Sequence, residues 1–251
     1  EKRDVTFQAR GDNVDYKLLC DLYRAGFRNI SFGLETASER LMKIIKKGET
    51  VGQCIESVRM AKRIGFHVSA TFIYGLPTET HEDRMSCIKL SKELRLDMPR
   101  FNNATPYPGT MLYEIAKKED RLNIVGLYEN FNSVSAMIEN PFKKIPFSYV
   151  PIGSTENEIR NDILFSHLQF YLNIKKIRMM FSKRGATKRW FNPGNKLRDK
   201  IRKVPALFCF AIFLTIKFGT LLFDILLKRN TSISISEFII ILTGRWRRLN
   251  S

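Results

Sequence analysis

Residues 28–36 read RNISFGLET. Ile30 to Leu34 is a short apolar run, the mark of a buried strand. Its close is unusual. Gly33 sits just before the end, and the carboxylate of Glu35 stands where the strand should stop and a helix should begin. Working outward from it, the same alternation recurs on both sides. Upstream, Asp4–Ala9 is a β-rich run. Asp15–Ala25 follows, with Leu18, Leu19, Leu22 and Tyr23 at helical spacing and Gly26 as a stop. Downstream, Ser38–Ile45 and Thr50–Ile64 read as helices closed by Gly48 and Gly65. His67–Tyr74 reads as a third strand, Glu79–Leu94 as a helix, Arg100–Ala104 as a weaker fourth strand and Pro108–Lys118 as a further helix. A strand, a long helix and another strand in that order imply parallel strands with crossover helices. About four such units are too few for a closed eight-stranded barrel, and fit part of one or an open sheet.

In such folds ligands bind at the C-terminal ends of the strands. Those ends carry Arg10 with Gly11, Asp12 and Asn13; then Gly33 and Glu35; then the run YGLPTET from Tyr74; then TPYPGT from Thr105. Each residue also has a plain structural reading. Gly33 can make room for helix packing, Glu35 can favour a helix N-terminus, and Pro77 and Pro106 can be loop punctuation. Taken singly, each structural reading is somewhat better than even. His67 and His81 read as a strand start and a helix start, and Cys20, Cys54 and Cys87 as small packing residues within helices.

The chain has 251 residues, 44% hydrophobic and 27% charged, an ordinary globular balance. Its net charge of +17 is uneven. Residues 1–150 hold 23 Lys+Arg against 19 Asp+Glu, whereas residues 151–251 hold 19 against 6. The basic excess belongs to the last hundred residues. The four cysteines and three histidines are scattered, with no CxxC pair, which excludes a zinc-type spacing or a disulfide framework and suits a reduced, cytoplasmic setting. The chain opens at Glu1 on residues that already read as strand, so the natural protein is expected to continue upstream.

From LYRAGFRNISFGLETASERLMKIIKKGETVGQCIESVRMAKRIGFHVSATFIYGLPTETHED to FNNATPYPGTMLYE, the sequence resembles the core of radical S-adenosylmethionine (SAM) enzymes. It is most similar to the branch that often carries an upstream cobalamin-binding domain. The resemblance covers roughly Asp4 to Glu119 and rests on several motifs in order. It implies a fold class of α/β, a partial (β/α)6 TIM-like barrel lacking its first strands, followed by a mainly α-helical C-terminal extension. Residues 1–120 would be the barrel part, 121–155 a closing segment and 156–251 the basic, apolar helical extension. The implied cofactors are SAM, a 4Fe–4S cluster and, for that branch, cobalamin. The cluster's CxxxCxxC ligands do not occur in these 251 residues, so no metal ligand is assigned here, and the chain alone is expected to be inactive.

By motif, the resemblance assigns cofactor contacts to Arg10, Ser31, Gly33, Glu35, Ile73, Tyr74, Gly75, Pro106 and Tyr107. Arg10 would grip a carboxylate, although Asp12 or Glu35 could equally hold it. Glu35 with Ser31 would meet the ribose hydroxyls, and Phe72–Glu79 would flank adenine by its main chain. One of Asn102 and Asn103 would face the barrel interior. No residue is assigned as a catalytic acid, base or nucleophile; in this chemistry the protein orients the cofactor.

The tail departs from this pattern. Glu156–Phe181 reads as an amphipathic helix, followed by the basic run SKRGATKRWFNPGNKLRDKIRK and by the apolar Pro205–Leu227. Lys217 and Asp224 interrupt the latter, too soon for a membrane span. Residues 183–229 could lie on a membrane surface, at the inner face, or pack as a buried helix, and the two readings weigh equally. Nucleic acid binding is the weaker expectation. The expected partners are a small-molecule or lipid substrate and the missing upstream part of the same protein. The function expected is a fragment of a radical SAM enzyme that modifies a metabolite or lipid. The alternatives are a non-catalytic membrane- or partner-binding remnant and an unrelated phosphate-binding α/β barrel.

Overall fold

A computed structural model of the chain describes residues 5–133, 145–171, 197–227, 232–237 and 239. The basic run at 183–196 and the pair at 228–229 lie outside the described residues. Four parallel strands form one sheet in the order β1 (Thr6–Ala9), β2 (Asn29–Glu35), β3 (His67–Tyr74) and β4 (Met98–Asn103). The crossovers are α1 (Tyr16–Arg24), then α2 (Glu39–Ile44) with α3 (Val51–Ile64), then α4 (His81–Glu93). After β4 come α5 (Met111–Lys118), α6 (Glu156–Tyr171) and α7 (Leu197–Leu226). The molecule is therefore α/β with a parallel sheet and a helical C-terminal part, as the sequence led us to expect.

Local chemistry sets the helix ends. Asp15 accepts a hydrogen bond from the Leu18 amide. Thr50 and Gln53, and likewise Thr80 and Asp83, form reciprocal capping boxes. The second box starts α4 at His81 rather than at Glu79, where apolar periodicity placed it, because hydrogen bonding decides a helix start. Gly65 closes α3 with φ of 109°, a left-handed cap that glycine adopts freely. α7 runs continuously through Pro205 instead of starting there.

Alternation along the strands gives the sheet two unlike faces. Ile30, Phe32, Leu34, Val68, Ala70, Phe72, Tyr74 and Phe101 are buried in the core shared with the helices. Each large side chain so buried contributes roughly 1.5–3 kcal/mol. Phe7 packs edge-on against Phe27 and Phe66 at 5.6 and 6.0 Å between ring centres, and Phe72 stacks on Phe101 at 5.5 Å. On the opposite face the register aligns Gln8 with Ser31 and Ser69, Gly33 with Thr71 and Arg100, and Ile73 with Asn102. That face is polar and small, unsuited to packing, and open to a ligand.

The outer edge of β4 is closed. Pro99 has no amide hydrogen, the Phe101 amide donates to His167 Nε2 at 3.4 Å, and the Asn103 amide donates to the Ser133 carbonyl at 2.9 Å. His167 sits on α6, its Nδ1 against the Ile163 carbonyl, and burial lowers its pKa to about 4. The neutral ring can therefore accept at Nε2. α6 packs on β4 and α4, and α7 packs on α6. No helix among the described residues is long and apolar enough to cross a membrane.

Candidate functional site

A cleft of about 800 Å³ opens over the polar face at the C-terminal ends of the strands. Its walls include Gln8, Arg10, Ser31, Gly33, Glu35 and Lys47, with Thr71, Ile73, Asn102 and Tyr107 completing them. Of the nine residues assigned by motif, Arg10, Ser31, Gly33, Glu35, Ile73 and Tyr107 line this one hollow. The other three do not line it. Tyr74 points into the core, where its hydroxyl donates to the Arg84 carbonyl and meets Ser166 Oγ at 2.9 Å. The Gly75 amide donates to Glu79 Oε2 at 2.5 Å, and Pro106 is buried.

Glu35 answers the question its position raises. The ladder between β2 and β3 shifts between Gly33 and Glu35, and Glu35 has φ of 60°. A non-glycine residue in that left-handed region is strained, by roughly 1 kcal/mol or more, and such strain concentrates at functional sites. The twist folds the carboxylate back over the strand. Lys47 Nζ donates to its Oε1 at 2.7 Å. A Cβ added at Gly33 would stand 2.6 Å from that oxygen and 3.1 Å from Lys47 Nζ. Gly33 thus makes room for the ion pair, not for helix packing. The second oxygen, Oε2, is buried and has no hydrogen-bond partner among the described residues. An unsatisfied buried carboxylate oxygen at a cleft wall is costly unless a ligand donor meets it.

Neighbouring charges are already engaged. Arg10 donates through Nε and a terminal nitrogen to both oxygens of Asp12, at 2.9 and 2.8 Å, and also to the Lys47 carbonyl. That fork lowers the Asp12 pKa and raises that of Arg10. Asp12, not Glu35, holds Arg10. Glu49 accepts from the Gly11 amide at 2.7 Å and lies 3.6 Å from Lys47. Of the two asparagines, Asn102 is half-buried on the inner face, whereas Asn103 is buried and donates to the Asn132 carbonyl. The Thr105 hydroxyl is a further buried group without a partner among the described residues.

Asn13, named at the end of the first strand, lines the cleft too; Gln8, Lys47 and Thr71 also line it, and the sequence reading passed over them. Register could have found Gln8 and Thr71, since they align with Ser31 and Gly33. Lys47 gave no signal: it reaches Glu35 from beyond α2, 12 residues on.

These groups suit a polyhydroxylated ligand with a flat apolar part. A carboxylate oxygen and hydroxyls can meet sugar hydroxyls, while Ile73 and Tyr107 offer apolar walls. The described residues do not suit an iron–sulfur cluster. No group of three His, Cys, Asp or Glu side chains is placed to hold a metal among them. Cys54 and Cys87 are buried; burial pushes the Cys54 thiol up to about 12, with Glu49 adding to it, and burial raises Cys87 as well.

A second charge cluster lies behind the sheet. Arg84 of α4 donates through Nε to Asp162 of α6 at 2.6 Å and lies 3.4 Å from Glu79. His81 Nδ1 is 2.9 Å from the same Asp162 oxygen, and its Nε2 is 3.5 Å from Glu237. Burial alone would lower the His81 pKa, but bonding to Asp162 and Glu237 raises it to about 9. Bonding to His81 holds Glu237 down to about 2. Burial pushes Glu79 up to about 8, against the pull of Arg84.

Comparison with known proteins agrees with the geometry. Residues 1–90 match the model of the radical SAM superfamily. An uncharacterized methyltransferase, PH0819, of Pyrococcus horikoshii is 40% identical over 111 residues, which are 44% of this chain and 24% of that protein. The anaerobic magnesium-protoporphyrin IX monomethyl ester cyclase of Rubrivivax gelatinosus is 24% identical over 169 residues, 67% of this chain and 28% of that protein. A bacteriochlorophyllide d C-8(2)-methyltransferase of Chlorobaculum tepidum is 27% identical over 149 residues, 57% of this chain and 32% of its own. The chain thus spans between 24% and 32% of the length of these relatives. The cobalamin-dependent SAM radical enzyme OxsB, solved with aqua-cobalamin and SAM bound, shares the fold at a TM-score of 0.50 and 14% identity, over 97% of this chain and 37% of that one. Parallel strands, a cleft at their C-terminal ends and the match over residues 1–90 together make the barrel part of the chain similar to the radical SAM superfamily.

Proposed function

We propose that the cleft binds S-adenosylmethionine through its nucleoside half, and that the chain is the substrate-side part of a radical SAM enzyme of methyltransferase or cyclase type. The observation that carries this is Glu35: a strained backbone and a lysine hold one oxygen, and the other is buried without a partner among the described residues. In this reading that oxygen accepts from the ribose hydroxyls, with Ser31 beside it, and Ile73 and Tyr107 flank the base. Gln8 and Asn102 supply further polar contacts from the same face. Because Arg10 is held by Asp12, its part is to fix the β1 end rather than to reach out freely. When bound, the cofactor supplies the reactive group, and these residues orient it and exclude water.

The cluster's thiolates are, in this reading, supplied from outside the 251 residues, so the chain by itself binds the nucleoside without reductive chemistry. Cobalamin enters as a second cofactor in the same way, held by groups outside the described residues. The substrate is a large apolar metabolite, lipids included. Two relatives act, by name, on porphyrin-type substrates. Here Tyr107 on the cleft wall meets Phe131 at 6.3 Å, and Phe131 meets Tyr128 at 4.7 Å, an aromatic run leading out from the cleft.

Calorimetric titration of S-adenosylhomocysteine into the chain tests this. Binding is expected, with a loss of about tenfold or more in Glu35→Gln, the scale of one charge-assisted hydrogen bond. Absence of binding, or equal affinity in Glu35→Gln, overturns it.

A further inference from the structure

Helix α7 carries apolar residues on its outer side as well as its inner one, and buries its lysine, unlike an ordinary surface helix. Phe208 is 67% exposed, Ile212 46% and Leu226 58%, whereas Lys217 is 7% exposed, with Leu221 and Ile225 buried beside it. At about 100° per residue, Phe208, Ile212, Gly219 and Leu226 fall on one stripe, and Lys217 falls on the opposite side. Lys217 Nζ sits 5.6 Å from the Phe213 ring, and its stem packs inward. Leu227 and, after the helix, Ile235 extend the exposed apolar surface. Nothing would meet a Cβ at Gly219 within 4 Å, so the stripe is open there too.

The only charged side chains from 205 to 227 are Lys217 and Asp224. On either side of that stretch the sequence is basic: Lys196, Arg198, Lys200, Arg202 and Lys203 before it, Lys228 and Arg229 after it. No helix among the described residues is long and apolar enough to cross a bilayer, yet the outer side of α7 is too apolar to face water without cost.

We infer that the outer stripe of α7 docks the protein on an anionic lipid surface, lying in the interface with Phe208, Ile212 and Leu226 among the acyl chains. The choice of lipid over a protein partner rests on charge: an uncharged apolar row bounded at both ends by cations, in a segment holding 19 Lys+Arg against 6 Asp+Glu, complements anionic headgroups. This surface is separate from the cleft and does not depend on the cofactor reading.

Flotation of the full chain with two vesicle preparations tests it, one of phosphatidylcholine alone and one of phosphatidylcholine with an equal part of phosphatidylglycerol. We expect the chain to float with the anionic vesicles at least ~10-fold more than with the neutral ones, and to be released by high salt. Phe208→Glu and Leu226→Glu should each cut the bound fraction ~5-fold or more, because a charge replaces an inserted side chain. Ile152→Glu, at an exposed apolar residue elsewhere, should leave it unchanged. Unaltered thermal melts of these variants keep the comparison valid, all three sites being exposed. Failure to float with either vesicle, or flotation indifferent to Phe208→Glu and Leu226→Glu, overturns the inference. So does a dimer by light scattering that Phe208→Glu converts to monomer without any flotation, since the stripe would then meet a second copy of this chain.

Discussion

Two charge clusters flank the same sheet and teach opposite lessons. At the cleft, Lys47 pins Glu35 at 2.7 Å on a backbone with φ of 60°, and both residues line the hollow. Behind the sheet, Glu79, Arg84, Asp162 and His81 are enclosed and tie α4 to α6. The residue types are alike. What separates them is the environment: a strained residue on the wall of an open hollow marks a ligand site, whereas ion pairs enclosed between two helices mark a structural seam.

The contrast can be broken or sharpened by substitution. The largest effect is expected from Arg84→Ala, which leaves Asp162 buried without its main partner. Urea unfolding should show a loss of about 3–5 kcal/mol, while nucleoside affinity per folded molecule stays within about twofold. If affinity collapses with stability, the clusters are not separate. Gly33→Ala should do the reverse. The added methyl displaces the tip of Glu35, a flexible side chain, so stability should fall by only ~1 kcal/mol or less, whereas affinity for S-adenosylhomocysteine drops about tenfold.

Acidity gives a third, smaller handle. The His81 pKa lies at about 9 in the fold against an ordinary 6.5, so its contribution is complete below pH 6.5 and is lost as pH rises through 9. Glu79, raised to about 8 from 4.5, contributes in the same direction. The melting temperature should therefore decline across that window, and His81→Gln should flatten part of the decline. The smallest effect is expected at the half-exposed pair of Lys62 and Asp97, where Lys62→Met should cost under ~1 kcal/mol in the same urea assay.

Much of this architecture is legible in the chain itself. Thr50 before the apolar stripe of α3 and Gly65 after it mark that helix to within a residue, because capping is local. The parallel order follows from the spacing of the β-rich runs. The site was legible only in part. Glu35 and Gly33 stand out because a charge and a glycine interrupt a buried strand. Gln8 and Thr71 do not, since which side of a strand faces the hollow depends on register with neighbours far away in sequence. The partner of Arg84 lies 78 residues on, at Asp162, and no local pattern announces it. The fourth strand reads as starting at Arg100, whereas it starts at Met98 and includes Pro99, which an edge strand with a closed outer side tolerates.

That closed side has a consequence for assembly. With Pro99 lacking a donor and the amides of Phe101 and Asn103 already engaged, the outer side of β4 offers no amide for hydrogen-bonded growth. β1, by contrast, pairs only with β2 among the described residues. Any further strand must therefore join next to β1, so the architecture can be completed from one direction alone.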